Sequence, residues 1–337
     1  MANWEIRYFC DSDAIDWDNF VSKKSINGTF LQERRFLSYH EKERFLDCSL
    51  MMYYKGILSA LIPACIVKEN DSKIFFSHKG STYGGPIVNK KVYCAEVIYD
   101  LLDTLETFLI EQQFAGCVLK PTLSLLCKEG MDLLEFCLCS RGYHEYKELE
   151  LYVDYDKYNE DILSNFSTMK QRIVKKCIKA GIEVCEIKDD EEIEKFHLIL
   201  SQNLEKYNTK PVHTVAELLD LKKHRLPDEI NFYGAYLNDR LIAGTMVFHF
   251  LKSRCAHTQY LASDLSFNDL SPLSYIYYDM LVRYKSLGYK YLSWGITSEH
   301  LGTELNMGLT RNKENFGSIY MINHIYEKSL IYFDKSV

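Results

Sequence analysis

The run Ile230-Asn231-Phe232-Tyr233-Gly234-Ala235-Tyr236-Leu237-Asn238-Asp239-Arg240-Leu241-Ile242-Ala243-Gly244-Thr245-Met246-Val247-Phe248-His249-Phe250 decides the fold. Aromatic and branched residues over 230–237 and 241–250 predict two strands. Asn238-Asp239 between them predicts a tight turn, because both side chains tolerate left-handed backbone. A third strand is expected over 256–262. Downstream, 273–287 has helical periodicity with Gly288 as its stop, 289–294 is a strand and 318–326 the last strand. Upstream, 161–180 reads as a helix stopped by Gly181, 182–187 as a strand, and 191–207 and 215–224 as helices.

A similar order precedes it. Strands are expected at 4–10, 50–54, 58–67 and 73–77, with turns at Lys55-Gly56 and Asn70-Asp71. A short helix over 13–23, capped by Ser12, follows the first strand. Helices are expected over 92–113 and 131–140, strands over 117–120 and 146–153. Alternation of helix and strand in both halves predicts an α/β (α+β) protein. Each half reads as a mixed, mostly antiparallel sheet flanked by helices. The boundary is placed near Tyr155, giving domains 1–155 and 156–337.

The 337 residues suffice for two cores. With 47% hydrophobic and 26% charged residues the chain is globular, which excludes disordered and collagen-like classes. Net charge is −7 and argues against a broadly basic nucleic-acid binder. Residues 1–155 carry 17 basic and 23 acidic side chains, residues 156–337 carry 23 and 24. A polyanion site therefore belongs more naturally to the second half. The N-terminus lacks a signal-peptide pattern and no apolar run reaches membrane-spanning length. The 11 cysteines are scattered without zinc-ribbon spacing. They are expected to be reduced, buried thiols in a cytoplasmic protein, with no metal site.

Several motifs resemble the GNAT acyltransferase superfamily, and within it the tandem-GNAT FemAB-like group. Leu241-Ile242-Ala243-Gly244-Thr245-Met246-Val247 is similar to its central meander strand. His257-Thr258-Gln259-Tyr260-Leu261-Ala262-Ser263 is similar to the next. Ser271-Pro272-Leu273 resembles the helix opening that follows. Gly288-Tyr289-Lys290-Tyr291-Leu292-Ser293-Trp294-Gly295 and Asn312-Lys313-Glu314-Asn315-Phe316-Gly317 resemble two later family motifs. In the second, Asn312 replaces the family's Phe. Lys170 to Val184 resembles the basic helix opening the second domain. Phe30-Leu31-Gln32, Ser77-His78-Lys79-Gly80 and Gly85-Pro86-Ile87 resemble landmarks of the first. The resemblance runs from about Gly28 to Tyr326 and implies two tandem GNAT-like domains.

The resemblance also implies roles. Lys313 is similar to a lysine beside the reacting carbonyl, where an ammonium lowers the transition-state energy. Tyr260 stands where the family has a substrate-facing tyrosine. His257, three residues earlier, belongs to the opposite strand face unless a bulge intervenes. His78 is a candidate base or donor in the glycine-rich loop 77–86, with Ser77, Tyr83 and Gly84 as substrate-binding candidates. Gln32, Arg35 and His40 follow the Gly28 entry. His40 takes the place of a basic residue that binds an anionic group in the family. Trp294 and Arg311 complete the substrate-binding set with Arg172 and Lys176. From the helix itself, Arg172, Lys175, Lys176 and Lys179 fall at i, i+3, i+4 and i+7 and share one face, suited to phosphates.

Between Ala262 and Pro272 there is no glycine and there are two acidic residues, Asp264 and Asp269. The pyrophosphate turn of most CoA-using GNATs is therefore missing. The FemAB-like group also lacks it. The resemblance implies acyl or aminoacyl transfer to the amine or hydroxyl of a sugar, peptide or cell-envelope precursor, as in polysaccharide biosynthesis. No tRNA-binding coiled coil and no broad basic surface are seen, which favours acyl-CoA over aminoacyl-tRNA as donor substrate. No bound cofactor is expected, and the oligomeric state is open. The competing class is a non-catalytic glycan- or peptide-binding protein on a degenerate GNAT fold.

Overall fold

In the computed structural model, residues 3–41, 43–206 and 208–330 are described. Tyr207, the expected end of the 191–207 helix, lies outside them. The chain divides into two compact units. Unit 1 holds the described residues up to Lys147 and those from Asn323 onward; unit 2 spans Glu148–Ile322.

Unit 1 opens with β1 (Trp4–Tyr8), which pairs antiparallel with β2 (Leu50–Tyr54), itself antiparallel to β3 (Ile57–Ile62). The apolar run after Gly56 is two strands, since Pro63 ends β3 before β4 (Cys65–Glu69). β4 pairs antiparallel with β5 (Ser72–Ser77), and β5 runs parallel to β6 (Phe114–Leu119). Between β5 and β6 lies α1 (Ala95–Glu111). It buries Ile98, Leu101, Leu102, Leu105 and Leu109, one stripe at helical spacing. α2 (Asp132–Ser140) adds Leu134, Cys137 and Leu138 to the same core. The short helix expected at 13–23 is three pieces: a 3₁₀ turn at 11–13, an α-helix at 14–19 and a π turn at 20–24. Its N-cap is Asp13, not Ser12.

Unit 2 begins inside β7 (His144–Asp154). The helix expected over 161–180 is split. A 3₁₀ turn (Ile162–Asn165) precedes α3 (Thr168–Lys179), because Ser167 turns extended and its hydroxyl accepts the Lys170 N–H. β8 (Glu183–Ile187), α4 (Asp190–Glu205), β9 (Ile230–Leu237), β10 (Arg240–Phe250) and β11 (Cys255–Ser263) follow. Asn238 and Asp239 both have positive φ, the tight turn expected between β9 and β10. β8, β9, β10 and β11 form an antiparallel meander. α5 (Pro272–Ser286), with proline in its first turn, leads into β12 (Tyr291–Ile296). β12 runs parallel to β11 and antiparallel to β7. Unit 2 therefore holds a mixed, mostly antiparallel sheet flanked by helices, whereas the strands of unit 1 fall into two sheets, β1, β2 and β3 in one and β4, β5 and β6 in another.

α6 (Met307–Glu314) follows, and then β13 (Ile319–Ser329), whose second half pairs with β6 in unit 1. The sequence places the boundary near Tyr155. The units divide instead within β7, because residues 150–154 pair with β12, and the chain's last described residues return to unit 1.

All 11 cysteines are free thiols. Cys10, Cys94, Cys139 and Cys185 are exposed and Cys127 is half-buried, so the expectation of buried thiols is corrected for these five. Among the described residues no helix is long and apolar enough to cross a membrane.

Candidate active site

In unit 2 the parallel pairing of β11 with β12 covers three pairs, Cys255↔Tyr291, Ala256↔Leu292 and His257↔Ser293. On the other side of β11 the register with β10 shifts between Met246/Val247. Met246 opposes Tyr260 and Val247 opposes Thr258, so Gln259 is the extra residue of a bulge. The bulge resets the alternation, and His257 and Tyr260 share one face.

Tyr260 Oη lies 2.5 Å from His213 Nδ1, and burial pushes the phenol up to about 12. His213 lines a cavity of about 450 Å³ together with His197, Glu205, Lys210, Thr214 and Val215. Gln259 stands beside both the Tyr260 hydroxyl and the His257 ring.

On β12, Gly295 has φ +76, and a Cβ there would sit 3.2 Å from His257 Cε1. That conformation turns its carbonyl to Lys313 of α6. Lys313 Nζ donates to Gly295 O at 2.9 Å and to Ile296 O at 3.0 Å. The side chain is 3% exposed. Burial lowers its pKa to about 8, against the pull of Glu150, so the ammonium persists at neutral pH. An ammonium has three N–H groups, and the two carbonyls take two.

Glu150 is also buried, and burial raises its pKa; Ser293 and Lys313 act against that. Ser293 Oγ donates to Glu150 Oε1 at 2.6 Å, accepts Gly295 N–H at 3.1 Å and lies 2.8 Å from His257 Nδ1. Burial, reinforced by Lys313, holds His257 neutral with a pKa of about 4. A buried lysine, a buried carboxylate and a half-buried imidazole thus meet where β11 and β12 stop pairing.

The other candidates fall elsewhere. Trp294 is in the core, packed on Tyr277 at 4.4 Å with Nε1 donating to Ser318 Oγ. Arg311 is exposed on α6. On α3, Arg172, Lys175, Lys176 and Lys179 are all exposed, as their spacing predicts, and Lys176 Nζ donates to Asp269 O at 2.7 Å. Lys170 points inward, donating to Ser274 Oγ and Asn312 Oδ1. The asparagine at position 312 therefore has a local role as its acceptor.

In unit 1 the polar groups of the expected binding loop hold the loop itself. Gln32 accepts from Thr29 N and Oγ1 and donates to Gly84 O and Thr122 Oγ1. Ser77 Oγ accepts Lys120 N–H, and His78 Nδ1 accepts Gly80 N–H at 2.9 Å. Burial holds His78 neutral, with a pKa near 4. Tyr83 is buried. His40 Nε2 lies 3.2 Å from Gly80 O, and Arg35 pairs with Glu33. A cavity of about 530 Å³ is lined by Arg34, His40, Phe45, Asp47 and His78. Of the three catalytic candidates, unit 2 holds Lys313 and Tyr260 and unit 1 holds His78.

Sequence reasoning missed Glu150 and Ser293. Strict alternation puts Glu150 on the same face as Glu148, which reads as solvent. Its signal is visible only in three dimensions.

Residues 167–301 match the family model of the acetyltransferase (GNAT) domain, which covers His257, Tyr260 and Ser293 but not Glu150 or Lys313. No curated protein sequence matches the chain. Among solved structures, FemX is 13% identical with a TM-score of 0.68, covering 96% of each chain. A tandem GNAT protein from the clavulanic acid biosynthesis pathway is 8% identical with a TM-score of 0.57, covering 98% of this chain and 100% of that one. The C-terminal domain of a putative lysylphosphatidylglycerol synthetase from Agrobacterium fabrum is 11% identical, with a TM-score of 0.54 over 80% of this chain and 81% of that one. Such identities speak for the fold. Within the second unit residues 167–301 match the GNAT acetyltransferase domain, and the chain has the fold seen in FemX and in the tandem GNAT protein.

Proposed function

We propose that the protein is an acyltransferase moving an acyl group from an activated donor to an amine or hydroxyl of a sugar or peptide in a cell-envelope precursor. The observation carrying this reading is the buried Lys313 ammonium, held by Gly295 O and Ile296 O where β11 and β12 part. Two acceptor carbonyls fix its direction, and its remaining N–H serves the carbonyl oxygen of the donor. A fixed charge in a dry site stabilises the tetrahedral oxyanion more than the ground-state carbonyl. The acceptor lies in the cavity lined by His213, whose ring Tyr260 holds in place for orienting it.

The donor is acyl-CoA. The exposed basic face of α3 offers four cations to its phosphates. The reaction takes place in the cytoplasm, on a precursor used in polysaccharide biosynthesis. The test is incubation of the pure protein with labelled acetyl-CoA and amino-sugar nucleotides or peptides, and separately with charged tRNA. Label transfer that is lost in Lys313→Ala is the expected result. Transfer from tRNA alone would change the donor. A ligand-dependent thermal shift with no transfer from any donor would overturn catalysis in favour of a binding module.

A further inference from the structure

We propose that His257 is the general base of this site and that Ser293 and Glu150 form a relay carrying the abstracted proton inward. The inference rests on the acyltransferase reading and adds to it the path of the proton.

The wiring follows from counting hydrogens. Ser293 Oγ has one hydrogen and three neighbours: Glu150 Oε1 at 2.6 Å, His257 Nδ1 at 2.8 Å and Gly295 N at 3.1 Å. Gly295 N–H is a donor, so Oγ accepts there. Beside the Lys313 ammonium we take Glu150 as the carboxylate; the hydroxyl then donates to it, and Nδ1–H is the donor to Oγ. The lone pair of His257 then sits on Nε2. The ring is half-buried, at the end of the paired part of β11 and β12, while Ser293 and Glu150 are 2% exposed. The chain thus runs from the imidazole to a sealed carboxylate.

Around the ring stand Lys313 from α6, Glu150 from β7, Phe248 from β10 and the neutral Gln259 of the bulge. Lys313 disfavours a lasting imidazolium, and burial favours a neutral Glu150. Both push an arriving proton through the histidine and onto the carboxylate. In the step, the lone pair of a neutral amine forms the bond to the carbonyl carbon of an acyl thioester. Its proton goes to His257 Nε2, the Nδ1 proton to Ser293 Oγ, and the Ser293 proton to Glu150 Oε1. The C–S pair leaves with sulfur as a thiolate. The reverse path then delivers a proton to the thiolate and restores the resting state.

Two measurements test this. The first is ¹⁵N NMR of the His257 ring at pH 7 in the unliganded protein. The expected result is the Nδ1–H tautomer, changed in Ser293→Ala and Glu150→Gln; an Nε2–H tautomer in the wild type overturns the wiring. The second is turnover and its pH profile, with folding checked by circular dichroism and thermal melting. Both variants are expected to lose about 10²-fold in kcat with KM little changed. Folded variants with wild-type kcat and pH profile sink the relay. A wild type that transfers from no donor counts against the acyltransferase reading, and the tautomer still decides the wiring.

Discussion

The two units each bury a histidine in polar surroundings, and they do so differently. In unit 1, His78 accepts Gly80 N–H, and its neighbours Gln32 and Ser77 also bond within the loop framework. Their hydrogen bonds close on the backbone and on the hydroxyls of Thr29 and Thr122. In unit 2, His257 belongs to a chain that ends on a buried carboxylate beside a buried ammonium. Burying charge costs far more than burying amides and hydroxyls that satisfy one another. The first arrangement fixes a loop. The second is a cost that stability alone does not explain.

The largest effect that could break this contrast is on turnover. Lys313→Met should lower acyl transfer by about 10²–10³-fold, the range for removing one oxyanion donor. His78→Ala should change kcat little and lower the melting temperature. Equal loss of turnover in a folded His78→Ala protein would move chemistry into unit 1.

Next comes stability in unit 1. A Cβ on Gly84 would lie 2.0 Å from Ser77 O, in backbone that cannot give way. Gly84→Ala should cost about 1–3 kcal/mol in urea unfolding, as overpacking does. An unchanged midpoint would show the loop to be pliable.

The pH dependence sharpens the contrast further. His78, His249 and His257 are each lowered from 6.5 to about 4, mainly by burial. Their unfolded forms take up protons first as pH falls. Stability is therefore full above pH 6.5 and is lost on the way to pH 4, each histidine contributing up to about 1.4 kcal/mol per pH unit. Urea midpoints across that range check this. Activity should show a separate limb near pH 8 on the basic side, where Lys313 loses its charge. His78→Ala should flatten the stability slope and leave that limb in place.

The smallest effect is expected at Tyr260. Tyr260→Phe removes the bond to His213 and should raise KM for the acceptor a few-fold, the worth of one hydrogen bond of about 1 kcal/mol. If turnover fell about 10²-fold instead, as on losing a general acid or base, Tyr260 would be part of the chemistry.

Much of the fold was legible because it rests on period-2 and period-3.6 patterns. The β9–β10 hairpin with its Asn238-Asp239 turn and the apolar stripe of α1 are examples. The interruption at Ser167 was not, since the pattern continues through it. Lys313 could be found by resemblance. The joint placement of His257 and Tyr260 could not, because one extra residue at Gln259 inverts the face assignment and no residue type announces a bulge. Glu150 was hidden for the opposite reason: the alternation is intact, but the face that reads as polar is covered.

The return of β13 to unit 1 bears on biogenesis. β6 gains its antiparallel neighbour only from Tyr326 to Ser329. During vectorial synthesis the ribosome has already emitted all of unit 2 before those residues appear. β6 therefore waits with an unpaired edge while later sequence folds, and such edges invite association with other chains. Release of nascent polypeptides halted just after Ile322 should yield material prone to aggregate or to need a chaperone, even though unit 2 is fully translated.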